Sequence, residues 1–270
     1  MKERIYSNMS IDATVMKKFQ SLSEIHVPFS AATNMPFVTC DEETYNDQVW
    51  IFTTLEDANE FVKKYAEEKI ILRDIIVKKE VFGDFFMDLH SMGINELVFC
   101  DNNVSHKLEF SKFVKLPDYS KIPKNKQPLL NPELQLSTVY FFQEIKRPGV
   151  EPNKEKLEPL AEEMYANLAK SRFLLPVMKK ETEDKKEVLL FPYLTDKNGN
   201  KFQPVFSDHP QYMKHIRKNK PEGNSRILLV GIEELQKYLL PHVQGYMLNP
   251  DGYCHVLSKQ LLKTVIERFR

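Results

Sequence analysis

The apolar positions of this chain switch between helical spacing and strand alternation, and the order of the switches occurs twice. In the first half, Val15, Met16, Phe19 and Leu22 fall on one helical stripe. Val27-Pro28-Phe29, Phe37-Val38-Thr39 and Val49-Trp50-Ile51-Phe52 follow as three short strands. Thr54-Leu55-Glu56-Asp57 resembles a capping box with Asp in the usual Glu place, Thr54 being set to accept from the Asp57 backbone. Leu55, Ala58, Phe61, Val62 and Tyr65 form the inner face of the helix behind it. Ile70 to Leu72 with Ile75 to Val77 give a fourth strand. Phe85, Phe86, Leu89 and Met92 make a helix that Gly93 stops, and Leu97-Val98-Phe99 is a fifth strand.

The second half reads in the same order. Leu157, Leu160, Met164 and Leu168 mark a helix, and Leu174-Leu175-Pro176-Val177 a strand. Val188 to Leu194 and Phe202 to Ser207 are expected to pair as a hairpin around Asp196-Lys197-Asn198-Gly199-Asn200. Asp208 is placed to cap a helix with Pro210 in its first turn, where a missing N–H costs nothing. Tyr212, Met213 and Ile216 supply that helix's inner face. Arg226 to Val230 is a fourth strand, and Ile232, Leu235, Tyr238 and Leu239 a helix. Tyr246-Met247-Leu248 is a fifth strand running into the turn Asn249-Pro250-Asp251-Gly252. Ser258 caps a last helix with Leu262, Val265, Ile266 and Phe269 inward.

The two halves also align residue by residue. Met16, Ser23 and Pro28 match Met164, Ser171 and Pro176 at an offset of 148. Phe37 and Phe52 match Phe191 and Phe206 at 154, and His106 and Leu108 match His255 and Leu257 at 149. Offsets that change only at loops point to two related domains. Between them, Pro117, Pro123 and Pro128 and nearby lysines read as an extended linker from Leu116 to Leu130. Asn131 to Arg147 then forms a helix whose apolar residues, Leu134 to Phe142, neither repeat requires. It is expected to dock between the domains or at a dimer interface. The expected organisation is α+β: a first domain over 1–115, a linker with a bridging helix over 116–156, and a second domain over 157–270. Each domain is a mixed, mainly antiparallel sheet of about five strands packed by helices.

Composition narrows the partners. Lys and Arg number 38, as do Asp and Glu, so the balanced charge gives no global attraction to nucleic acid or anionic membrane. Residues 1–7 carry charge without an apolar core behind it, which is not a secretory signal. No run reaches the roughly 20 apolar residues of a bilayer span. Three widely spaced cysteines, Cys40, Cys100 and Cys254, suit a reducing compartment, and a cytoplasmic protein is expected.

Candidate chemistry is sparse. The 8 glycines form neither Gly-x-Gly nor a phosphate-cradling loop ahead of Lys, so no nucleotide cofactor is implied. His209 and His215 are on different faces of a helix, and adjacent Cys254 and His255 point apart in a strand, so no metal is expected. Ser207 and Asp208 read first as a strand end and a helix cap. Cys100 and Cys254 read as small core fillers and Trp50 as core. Glu162-Glu163 and Glu233-Glu234 read as solvated helix faces. The turn after the fifth strand is a place where loops carry binding groups. Ser207, Asp208, Asn249 and Asp251 are therefore the candidate binding residues, and no residue is assigned to catalysis.

Met164-Tyr165-Ala166-Asn167-Leu168-Ala169-Lys170-Ser171-Arg172-Phe173-Leu174-Leu175-Pro176, Gln203-Pro204-Val205-Phe206-Ser207-Asp208 and Met247-Leu248-Asn249-Pro250 occur in that order. Together they resemble the SseB family, named for enhanced serine sensitivity in bacteria. The resemblance covers the chain from Leu157 onward and, more loosely, Val15 to Phe113. There Phe99-Cys100-Asp101-Asn102 replaces Leu-Asn-Pro. It implies an intracellular α+β module and carries over no catalytic residue. The functional expectation is a non-enzymatic binding or regulatory module for a protein or small-molecule partner. The alternative is a sensor or enzyme linked to amino-acid (serine) metabolism, which needs an enclosed polar pocket near Asp208 and Asn249. A homodimer through the bridging helix or a sheet edge is compatible with the first.

Overall fold

The computed structural model describes residues 13–181, 187–220 and 225–269. Residues 1–7, read above for a leader, lie outside the described residues. The fold is α+β, with mixed and mainly antiparallel sheets. The chain forms two compact units, one of residues 1–119 with 146–151, the other of residues 120–145 with 152–270.

In the first unit, helix α1 (residues 13–21) precedes β1 (Glu24–Ser30), β2 (Met35–Pro36), β3 (Val38–Cys40) and β4 (Asp47–Phe52). Helix α2 (Leu55–Glu67), β5 (Leu72–Lys78), α3 (Phe82–Met92), β6 (Glu96–Asp101), β7 (Val104–Glu109) and the single turn α4 (Phe110–Phe113) follow. The sheet runs β2-β1-β4-β6-β7, with β3 beside β4 and β5 beside β1. Strand β6 is buried on both faces because helices cover both. Phe19, Phe82, Phe86, Phe99 and Phe113 stack on one face, with Phe19 and Phe113 centroids 4.7 Å apart. Phe37, Phe52, Ala58, Phe61, Val98 and Cys100 pack under α2 on the other.

Local signals set the element ends. Thr54 accepts from the Asp57 N–H at 3.2 Å, as the capping pattern requires. Gly93 ends α3 at φ 90°, a conformation that favours glycine. Trp50 packs on Phe61 with centroids 4.9 Å apart and donates to Thr39 Oγ1 at 2.9 Å. Leu55 departs from its expected inward position. It opens the helix at a turn and is exposed, while Ala58 and Phe61 carry the burial.

In the second unit, α5 (Pro132–Ile145) and α6 (Lys154–Lys170) lead into β8 (Arg172–Glu181), β9 (Glu187–Leu190), β10 (Leu194–Thr195) and β11 (Lys201–Val205). Then come α7 (His209–Asn219), β12 (Ser225–Gly231), α8 (Ile232–Tyr238), β13 (Gly245–Leu248), β14 (His255–Ser258) and α9 (Lys259–Phe269). The strands form two sheets, β10-β11-β13-β14 and β12-β8-β9, joined by one antiparallel bridge between Leu174 and Phe206. Prolines explain the split. Phe206 faces β8 and Val205 faces β13, so Pro204, two residues before Phe206, also turns its edge toward β8. Pro176 occupies the opposing position of β8. Neither has an N–H to extend the ladder.

The expected hairpin of 188–194 with 202–207 forms only at its inner end. Leu194 and Thr195 pair with β11, while β9 turns back to pair with β8. An apolar run satisfies either partner, so periodicity did not separate them. Met213 is exposed, and the inner face of α7 is carried by Tyr212 and Ile216. Ser258 accepts from the Leu261 N–H at 3.1 Å, capping α9 as expected.

Two features went unread in the sequence. Each unit ends its sheet in a further strand, β7 or β14, and α5 packs against α6 as part of the second unit's core. The pairings of the two units correspond. His26 opposite Phe52 becomes Leu174 opposite Phe206; Leu97 opposite Leu108 becomes Tyr246 opposite Leu257. The parallel pair Val49 and Leu97 becomes Gln203 and Tyr246. All keep the sequence offsets.

Gly245 begins β13 where an added Cβ would lie 2.3 Å from the Leu257 carbonyl oxygen. Gly83, inside α3, has open space at the same point. Gly245→Ala is expected to destabilise the protein by about 1–3 kcal/mol through overpacking. Gly83→Ala is expected to stabilise it by about 0.5–1 kcal/mol. Urea unfolding of both variants measures the contrast.

Candidate functional site

Strand β11 ends at Val205, and the next three residues turn the chain into α7. This turn lies beside the end of β13, because β11 and β13 are parallel and their carboxyl ends lie together. The parallel pairing therefore brings Ser207 and Asp208 to Asn249, although 41 positions separate Asp208 from Asn249.

Asp208 caps α7, its Oδ1 accepting from the Gln211 N–H at 2.9 Å. Its Oδ2 accepts from the Ser207 hydroxyl at 2.7 Å and from Gln135 Nε2 at 2.6 Å. Ser207 Oγ in turn accepts from Asn249 Nδ2 at 2.7 Å, and its N–H donates to Asn249 Oδ1 at 3.0 Å. Asn249 Nδ2 also donates to the Tyr253 hydroxyl at 2.8 Å. Asn131 Nδ2 donates to the Ser207 carbonyl at 2.6 Å. Ser207, Asp208, Asn249 and Tyr253 are all within 1% of complete burial.

Burial pushes the Asp208 carboxyl above its ordinary value, against the hydrogen bonds from Gln211, Ser207 and Gln135. Burial also raises the Tyr253 hydroxyl, and the nearby Asp208 adds to that. The turn itself holds as predicted: the Gly252 N–H donates to the Asn249 carbonyl at 2.9 Å, with Asn249 in the left-handed region at φ 49°. Asp251 faces a different way. Its carboxylate meets His215 Nδ1 and Lys218 Nζ of α7, each at 2.6 Å. Burial works to raise it, but hydrogen bonds from Lys218 and His215 outweigh burial and hold it below the ordinary carboxylate value.

Three of the four sequence candidates thus share one sealed network, and Asp251 ties the same turn to α7. Gln135, Asn131 and Tyr253 complete the network and were not singled out. Gln135 and Asn131 come from the segment before the matching repeat, so no repeat offset pointed to them. The equivalent place in the first unit differs. Thr53 donates to Asp101 Oδ1 at 2.8 Å, Lys18 also binds Asp101, and the buried Cys100 stands where Asn249 does. Burial pushes the Cys100 thiol up to about 12, whereas Cys254, expected in the core, is exposed because it sits past the turn. Among the described residues no group of three or more metal-ligating side chains clusters. An open depression of about 590 Å³ runs along α2, lined by Leu55, Glu56, Asn59, Glu60 and Lys63.

Residues 154–266 match the family of the SseB protein N-terminal domain. The matched span lies within the second unit. Its α6, the sealed network after β11 and the turn after β13 are the three landmarks of the resemblance. No curated protein matches the chain. Among solved structures it is similar to Anabaena Tic22 (protein transport), with 11% identity over 83% of this chain and 87% of that one, at a TM-score of 0.20. It is also similar to Tic22 from Plasmodium falciparum, with 14% identity over 94% and 96%, at a TM-score of 0.20. Likeness at that score carries no functional argument. Among the described residues no helix is long and apolar enough to cross a membrane.

Ser207→Ala removes both the acceptor of Asn249 and a donor to Asp208, and is expected to cost about 1–3 kcal/mol in urea unfolding. Asp208 holds its proton to a higher pH when folded than when unfolded. Its contribution therefore favours folding in acid and is lost as pH rises through the raised folded value. Asp208→Asn cannot ionise, so the stability difference from wild type should shift with pH, wild type losing ground as pH rises. A difference that stays constant from pH 4 to pH 8 would contradict the raised carboxyl.

Proposed function

We propose that the protein is a non-enzymatic intracellular binding or regulatory module, built from two copies of one α+β scaffold. The observation that carries this reading is the closure of the polar residues at the strand ends. Ser207, Asp208 and Asn249 bond to one another and to Gln135 and Tyr253 instead of facing a ligand. A hydroxyl held between an amide and a buried carboxyl shapes a turn and leaves no reacting atom within reach of solvent.

Other observations support the reading. The corresponding pairings of the two units are what duplication of a scaffold leaves behind. The three widely spaced cysteines, Cys40, Cys100 and Cys254, suit a reducing interior. Apolar side chains are exposed on strands of both units, among them Ile75 and Ile76 on β5 and Leu229 on β12, as in proteins that bind other chains. The alternative of a serine-linked sensor or enzyme needs an enclosed pocket with polar groups converging on a ligand near Asp208 and Asn249, whereas the polar atoms of both side chains bond to neighbouring residues.

Purified protein incubated with a panel of amino acids and their phosphates, followed by mass spectrometry, is expected to leave every compound unchanged. Turnover that disappears in the Ser207→Ala protein, under conditions where that protein is folded, would overturn the reading.

A further inference from the structure

Strand β12 forms one outer edge of the sheet β12-β8-β9. Its backbone orientation follows from one bridge. Leu174 exchanges N–H and C=O with Phe206 at 2.8 and 3.0 Å, so the backbone of Leu174 faces away from β12. Leu229 stands opposite Leu174, and Ile227 opposite Pro176. The N–H and C=O groups of Leu229 and Ile227 consequently point outward, away from β8. Arg172 reaches that edge and donates to the Leu229 carbonyl at 3.0 Å.

The side chains on this edge are apolar. Leu229 is 42% exposed, Ile227 and Leu228 are half-buried, and the only charge within the strand is Arg226 at one end. An edge of this length and composition is a template for another strand. The equivalent edge of the first unit, β5, carries Arg73 and Asp74 at one end and Lys78 at the other, with Lys79 next. His26 Nδ1 meets the Asp74 carboxylate at 2.7 Å, which leaves Arg73 and the lysines to blunt this edge against its own copy.

We propose that β12 docks antiparallel against β12 of a second copy of this chain, joining two three-stranded sheets into one of six. The strand is self-complementary about Leu228. A two-fold axis there sets Leu228 against Leu228 and Ile227 against Leu229, the two residues whose backbone groups point outward. Arg226 falls opposite Val230, so it does not face its own copy across the pair. The same register brings the Arg226 end of each strand beside the end leading into α8, whose first turn carries Glu233 and Glu234. Repeating the exercise on β5 about Ile75 brings Arg73 beside the Lys78–Lys79 end. The inference rests on the reading of the protein as a binding module and gives one of its edges a specific occupant.

The test is sedimentation equilibrium of the full chain up to about 100 µM, a range that detects micromolar association. The expected mass is twice the 31.7 kDa of one chain. Leu229→Pro removes an outward N–H and no bond to β8, and should weaken the dimer at least about tenfold while circular dichroism stays native. Leu229→Lys, a change at an exposed side chain, should do the same if the proline variant misfolds. Ile76→Pro, the equivalent change on β5, should leave the mass doubled. A wild-type chain that stays monomeric at about 100 µM overturns the proposal, as does a dimer that both Leu229 variants leave intact. Neither result bears on turnover of amino acids, so failure here is separable from failure of the binding-module reading.

Discussion

A carboxyl group sealed inside a protein must find donors, and the second unit is arranged around that requirement at Asp208. The cap on α7 consumes one oxygen, and the other takes Ser207 and Gln135. Asn249 holds Ser207 from the side opposite Asp208, and the parallel run of β13 beside β11 brings Asn249 there. One buried acid therefore couples a strand end, two helices and a distant turn. Leaving any of these donors out would strand a polar group where water cannot replace it.

Much of the architecture was legible because its causes are local. Helical stripes, the Thr54 and Asp208 caps, the stop at Gly93 and the turn at Asn249 are each set by a few neighbouring residues, and they appear where the pattern places them. Pairing is not local. The run Val188-Leu189-Leu190 carries no mark that it will return to β8 instead of β11, and β7 and β14 alternate too weakly to stand out. Exposure of Leu55 and Met213 is likewise decided by what packs over a helix, which its own periodicity does not encode.

The candidate residues were found through their positions at turns, and three of the four do meet. Their environment was the unreadable part. Nothing in Gln203 to Asp208 announces that Gln135, some seventy positions earlier, will close the network. The first unit shows how far the same strand end can drift: a surface triad of Lys18, Thr53 and Asp101 occupies the place of the sealed one, and the scaffold keeps its register. Ladder geometry tolerates that exchange because the backbone bonds do not pass through these side chains.

The position of α5 has one more consequence. The family match begins at residue 154, after α5 has ended. Asn131 and Gln135 nevertheless serve Ser207 and Asp208, and Leu129 exchanges hydrogen bonds with His209 at the start of α7. A fragment cut at the homology boundary would keep the acid and discard its amide donor. The compact unit that holds this network begins at residue 120, well before its recognisable sequence does.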